Sequence, residues 1–166
     1  MASSDSQKPS SRHMFLRTAA ANESEFLIRA YASTRAEEMA AWGWNPAQQA
    51  SFIQMQFHAR RRGYAASYPS ADTSVIFLND VPVGSLTTFR GAREIRLLDI
   101  SLLAEYRGQG IGGELIGILI SEATSVKSAV RLSVVRGNRA AGLYERLGFV
   151  ATGGDAVYCE MEYLPR

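Results

Sequence analysis

The sequence has one cysteine, Cys159, no long apolar run and no strong excess of either charge. Each shortage removes a class of function. A lone thiol forms no internal disulfide and suits a reducing cytoplasm. With no histidine evidently placed beside it, Cys159 is also a poor nucleophile. No stretch approaches the roughly 18–20 apolar residues that a transmembrane helix needs. Eighteen basic against sixteen acidic residues, net +2, give no electrostatic case for nucleic acid or a membrane surface. What is present is 166 residues, 46% of them hydrophobic, enough for one globular domain with a real core. Residues 1–13 are polar and lack an apolar h-region, so they read as a disordered tail or leader, which leaves residues 14–166 as the domain.

The chain is organised around Glu94 to Glu122. An apolar strand, Ile95 to Leu103, runs into Arg107-Gly108-Gln109-Gly110-Ile111-Gly112-Gly113 and then into a helix with Ile111, Leu115, Ile118 and Leu119 at the spacing of one buried face. A glycine turn at a helix N-terminus is an anion site, because free N–H groups and about half a positive charge point outward there. Arg107 adds a forked cation suited to phosphate oxygens. A ligand carrying a pyrophosphate is expected at this turn.

Two of the site types that share this logic fail. A P-loop needs Lys-Ser or Lys-Thr after the glycines, and neither follows. A dinucleotide fingerprint is satisfied by Gly108, Gly110 and Gly113, yet four residues separate the strand from the first glycine. The acid expected some twenty residues on is also absent from Leu132 to Arg136. Residues 107–112 match an Arg/Gln-x-x-Gly-x-Gly/Ala turn. Asn138-Arg139-Ala140-Ala141-Gly142-Leu143-Tyr144-Glu145-Arg146-Leu147-Gly148-Phe149 matches Asn-x-x-Ala-x-x-Leu-Tyr-Glu-x-Leu-Gly-Phe about thirty residues later. With both signatures in this order, the chain resembles the GNAT superfamily of acetyl-CoA-dependent N-acetyltransferases over residues 15–163.

In order along the chain, Met14 to Thr18 is a first strand. A capping box then forms on Asn22 and Glu25, and a helix breaks at Gly43. A second helix starts with Asn45 as N-cap, Pro46 at its first position and Gln48 at the third, and ends near Arg62-Gly63. On that reading Arg60-Arg61-Arg62 is a solvated last turn that complements the helix's negative end. Two strands form a hairpin about Asn79-Asp80. The strand–turn–helix follows, then Ala129 to Val135 as a strand, Arg139 to Leu147 as a helix, and a closing pair of strands about Gly153-Gly154-Asp155. The order β-α-α-β-β-β-α-β-α-β-β is a three-layer α/β fold with a mixed, mostly antiparallel sheet, the GNAT-like order.

The resemblance implies a site. Its fourth and fifth strands splay, and the pantetheine arm of acetyl-CoA lies between them. By position, the backbones of Leu102 and Leu103 would meet that arm, and residues Arg107 to Gly113 would hold the pyrophosphate through Gly108, Gln109, Gly110, Ile111 and Gly112. Asn138 would cap its helix and touch the cofactor arm. Tyr144 would protonate the departing thiolate, a phenol of pKa about 10 facing a thiol of about 8.5. A general base is also wanted, and Asp99 and Glu94 are both candidates. Asp99 interrupts an apolar run, where a carboxylate needs a reason; Glu94 stands thirteen residues before Arg107. For the acceptor, Tyr31, Glu37, Glu38, Trp42, Trp44 and Tyr64 would form a wall suited to a cation. The implied activity is acetyl transfer from acetyl-CoA to a primary amine of a small molecule in a ternary complex, with no metal and with a homodimer as a compatible assembly. A protein N-terminal or lysine acetyltransferase and a non-catalytic acyl-CoA sensor are the alternatives.

Overall fold

A computed structural model describes residues 12–166; the segment expected to be a tail lies outside the described residues except for Arg12 and His13. These two are fastened down. The Arg12 guanidinium donates to the Gln109 carbonyl at 2.7 Å and pairs with Glu114, and the His13 amide donates to the Asn79 side chain at 2.9 Å.

The elements are Met14–Thr18 (β1), Ser24–Ala41 (α1), Pro46–Ser67 (α2), Asp72–Leu78 (β2), Val81–Arg90 (β3), Glu94–Leu102 (β4), Ile111–Ser125 (α3), Ala129–Val135 (β5), Ala140–Arg146 (α4), Val150–Gly154 (β6) and Tyr158–Tyr163 (β7). This is the expected order. The seven strands form one sheet, β1-β2-β3-β4-β5-β7-β6, in which β4 and β5 run parallel and the other neighbours antiparallel. No helix among the described residues is long and apolar enough to cross a membrane.

Local chemistry explains most boundaries. Asn79 and Asp80 both take positive φ, 49° and 66°, as a two-residue type I′ hairpin requires. At α2 the expected box is in place: the Asn45 side chain accepts from the Gln48 amide at 2.9 Å, and Gln48 accepts from the Asn45 amide at 3.0 Å, a device of about 1 kcal/mol. The box expected at Asn22 and Glu25 does not form. Instead Ala21–Glu23 make a short 3-10 turn, and the Glu23 carboxylate accepts from the Ala20 amide at 2.7 Å while pairing with Arg17. Arg17 on β1 thus holds Glu23, and the cap forms two residues earlier than the sequence suggests.

The end of α2 also differs from expectation. The helix runs past Gly63 to Ser67. Glycine there costs about 1 kcal/mol relative to alanine, and tertiary docking of the next turn outweighs it. The Tyr64 hydroxyl donates to the Leu98 carbonyl at 3.0 Å, and the Tyr68 ring lies 5.1 Å from Phe89. Arg60, Arg61 and Arg62 therefore sit inside the helix and not at its end.

In α3 the buried stripe is Ile111, Leu115, Ile116, Leu119 and Ala123; Ile118, expected on it, is 46% exposed. These side chains pack on Ile95, Leu97, Val130 and Leu132 of β4 and β5, each large one contributing about 1.5–3 kcal/mol. A second cluster of Tyr31, Met39 and Ile53 joins α1 to α2.

The feature that shapes the site is in β4. Its register with β3 pairs Thr87 with Asp99 but Thr88 with Leu97, so Leu98 is an extra, bulged residue. A bulge reverses the alternation of side chains beyond it. Ile95 and Leu97 face α3 before it, and Ile100 and Leu102 pack on that same core after it. Asp99 and Ser101 are thereby turned to the α1/α2 face, in register with Thr87 and Ser85. At the same point β4 leaves β5: the parallel ladder joins Glu94–Leu97 to Ala129–Leu132 and stops.

Candidate active site

The turn expected to hold a pyrophosphate has the required backbone. Gly108 and Gly110 lie at φ of 70° and 81°, and Gly110 is the N-cap of α3 with no side chain capping it. A left-handed N-cap without a capping side chain leaves the first N–H groups of α3, from Ile111 to Gly113, free for an anion. Arg107 is more engaged than the sequence suggests. Its guanidinium donates to the Leu102 carbonyl at 3.1 Å and to the Ser33 hydroxyl at 3.1 Å, and that hydroxyl also accepts from the Ala104 amide at 2.8 Å. It fastens the end of β4 to α1 while remaining exposed at the turn. The Gln109 side chain donates to the Glu105 carbonyl at 2.9 Å. Arg12, left in the tail by sequence reading, is a further cation against this turn.

Between the splayed strands lies a cleft of about 570 Å³ that reaches Leu97 to Ile100, Leu132 to Val135, Asn138 and Tyr144. The Leu103 amide donates to the Val83 carbonyl at 2.9 Å. In an antiparallel ladder the outward groups alternate, so Leu103 and Ser101 address β3, and the backbone groups of Ile100 and Leu102 address the cleft. Of the two residues expected to serve a cofactor arm, Leu102 is turned to the gap and Leu103 is not. Asn138 caps as expected, its side chain accepting from the Ala140 amide at 2.9 Å.

Tyr144 on α4 is 6% exposed and packs against Phe149. Burial, aided by the charge of Asp99, raises its phenol above the ordinary value. Asp99 receives a hydrogen bond from the Ser101 hydroxyl at 3.0 Å and pairs with Arg60 of α2 at 2.9 Å, leaving 24% of its side chain exposed. Burial pushes the Asp99 carboxyl above the ordinary carboxylate range, against the downward pull of Arg60 and Ser101. Arg60 also donates to the Tyr64 hydroxyl at 2.8 Å. Sequence reading missed Arg60 because Gly63 suggested a helix end; its i, i+4 spacing to Tyr64 was the available signal.

Glu94, the rival acid, is not brought to the cleft. It stands at the paired end of β4, 3.2 Å from Arg131 and 3.8 Å from Arg96. The expected acceptor wall is also redrawn. Trp42, Trp44 and Phe52 pack together at the α1–α2 turn, Glu37 is exposed, and Glu38 pairs with Arg35 at 2.6 Å. Tyr31 and Tyr64 do reach a second cavity of about 390 Å³, under α2, with Phe57, Arg61, Thr87 and Asp99. Asp99, Arg60 and Tyr31 border both cavities.

A family model for an acetyltransferase (GNAT) domain matches residues 69–151, half of the chain. The fold is similar to that of the PaiA N-acetyltransferase from Thermoplasma acidophilum in complex with coenzyme A, at 19% identity and a TM-score of 0.66 over 92% of this chain and 99% of that one. It is similar to the N-acetyltransferase PseH from Campylobacter jejuni at 15% identity and a TM-score of 0.58, over 92% and 99% of the two chains. It is also similar to apo FdhC, a nucleotide-linked sugar GNAT, at 15% identity and a TM-score of 0.60, over 91% and 86%. At these identities the likeness carries the fold alone. Among curated proteins no match was found.

Proposed function

The chain belongs to the GNAT family of acetyltransferases, and on that footing we propose that it moves an acetyl group from acetyl-CoA to a primary amine of a small molecule by direct attack in a ternary complex. The observation that carries this reading is the position of Asp99 on the wall shared by two cavities, one bordered by Tyr144 and one beneath α2. The second cavity, of about 390 Å³, is of a size for a small acceptor.

The residues divide the work as follows. The α3 N-terminus with Gly108 and Gly110 holds the pyrophosphate of the acyl donor, and Arg107 supports it. The backbone of Ile100 and Leu102 lines the pantetheine arm, and one of their N–H groups polarises the thioester carbonyl. Asp99 takes a proton from the incoming ammonium, and the freed nitrogen attacks the carbonyl carbon. As the carbon–sulfur bond breaks, Tyr144 gives its proton to the thiolate and regains one from the amide nitrogen through water. The net result is one proton to solvent and one on sulfur. Protonation of Asp99 removes the smaller of the two causes that raise the Tyr144 phenol, and burial, the larger, remains.

Calorimetry with acetyl-CoA tests the docking, and thiol release across an amine panel tests the transfer. Gly110→Asp, which sets a negative charge where the pyrophosphate lies, is expected to weaken binding at least about tenfold. Undiminished binding to that variant rejects the proposed cradle. Tyr144→Phe is expected to lower kcat about 10²-fold while KM for acetyl-CoA stays within a factor of about two. A raised KM with unchanged kcat makes Tyr144 a packing residue only.

A further inference from the structure

One wall of the cavity beneath α2 is a stripe of that helix, flanked by its His58, Arg60 and Arg62. Phe57, Arg61, Tyr64 and Ala65, with the C-cap Tyr68 beyond them, line it, and the first four stand at positions i, i+4, i+7 and i+8, which is one face of a helix. Four of the five are apolar or aromatic. The fifth is an arginine.

Arg60 and Arg61 are both exposed to solvent, and they differ in having a protein partner. Arg60 has one, since Asp99 holds it at 2.9 Å. Arg61 has no carboxylate within 4 Å among the described residues; its guanidinium lies over the Phe57 ring, 5.5 Å from the centroid. That contact steadies the side chain without engaging its N–H donors, because a ring face accepts charge and not a fork of hydrogen bonds, and they meet no acceptor among the described residues. Among the described residues, Asp99 is the one carboxylate on this cavity's wall, against Arg60, Arg61 and Arg62. The cationic acceptor anticipated from Glu37 and Glu38 finds neither of them here.

We infer that the acceptor is an amine that also carries an oxyanion, a carboxylate or a phosphate, with Asp99 receiving the amino end and Arg61 reading the anionic end. This rests on the assignment of the cavity beneath α2 to the acceptor. Arg61 is a specificity residue in this scheme. Arg62, the next side chain on α2, adds to the positive field at the mouth, and Tyr31 and Tyr64 supply the walls between the two ends.

Matched acceptors that differ in the anion test it: L-phenylalanine against phenethylamine, and glucosamine 6-phosphate against glucosamine. In thiol-release assays the protein is expected to favour the anionic member of at least one pair by about 10- to 100-fold in kcat/KM, the range of one charge-assisted contact. Which pair shows the preference distinguishes carboxylate from phosphate. Arg61→Gln should collapse the ratio toward one by raising KM for the anionic member, and Arg61→Lys should restore part of it. Equal use of both members in both pairs, or a preference that survives Arg61→Gln, overturns the inference and leaves acetyl transfer standing. If no amine releases thiol, the transferase reading fails, and the inference is decided by calorimetric Kd ratios for the same four compounds: a preference lost in Arg61→Gln upholds it, and no preference overturns it.

Discussion

Asparagine at position 99 is expected to lower kcat by about 10²- to 10⁴-fold, the range of a positioned acid–base group, and at the same time to raise the melting temperature at neutral pH. Both effects come from one environment. The carboxyl lies at the bulge of β4, between Ser101 and Arg60, and its burial raises its pKa despite both partners. An acid whose folded pKa exceeds its unfolded value, about 3.9, binds more protons folded than unfolded between the two values. Folding stability therefore falls as pH rises through that interval and stays lower above it. An amide of the same shape escapes the loss. Melting curves from acid to neutral pH should show the variant's advantage growing toward neutral pH and vanishing in acid. A variant that melts lower at every pH would mean that the Arg60 pair outweighs the burial. In kinetics, the acidic limb of kcat/KM should lie above the ordinary carboxylate range and be lost with Asp99. A limb that persists in the variant assigns the proton to another group.

The second large effect is structural. Gly84 on β3 faces Leu102 across the ladder, and a Cβ there would run into the Ser101 carbonyl oxygen and come within 2.9 Å of the Leu102 side chain. Backbone oxygen cannot swing aside as a side chain can, so Gly84→Ala forces β3 and β4 apart. The expected cost is about 3 kcal/mol, which lowers Tm by roughly 6–12 °C in a chain of this size. Because the displaced segment ends at Leu102, acyl-donor binding should weaken as well. Gly117→Ala provides the contrast: it lies inside α3 with nothing within 4 Å of the added carbon and should gain up to about 1 kcal/mol. Thermal melts of the two variants should move in opposite directions, and parallel shifts would discredit the contact argument.

What the sequence disclosed was whatever depends on short-range chemistry. The Asn45 box, the Asn79-Asp80 turn and the glycines before α3 each carry their own reason for the backbone they adopt, so each was legible. Gly63 misled because its local cost is smaller than the gain from docking Tyr64 and Tyr68, a sum that includes residues of β3 and β4. Ile118 misled because its spacing from Ile111 fits the buried stripe, whereas the true stripe turns toward Ile116. Glu94 and Asp99 are both carboxylates on one strand, and nothing local separates them. The separation comes from pairing: the β5 neighbour Arg131 takes Glu94 at the closed end, and the loss of β5 beyond Leu97 opens space for Asp99. Arg60 and Arg61 became distinguishable only once α2 was laid on the sheet.

The extra residue in β4 makes the chemistry a matter of counting. Were Leu98 drawn into regular pairing, so that the strand kept its length but lost the bulge, Asp99 would project toward Ile116 and Leu119, while Ile100 would slide into the acceptor chamber. Hydrogen-bonded pairing would persist through such a slip while the reactive carboxylate changed sides. Deleting Leu98 instead sets Leu97 and Asp99 as successive residues against Thr88 and Thr87, and should leave the carboxylate on its own face.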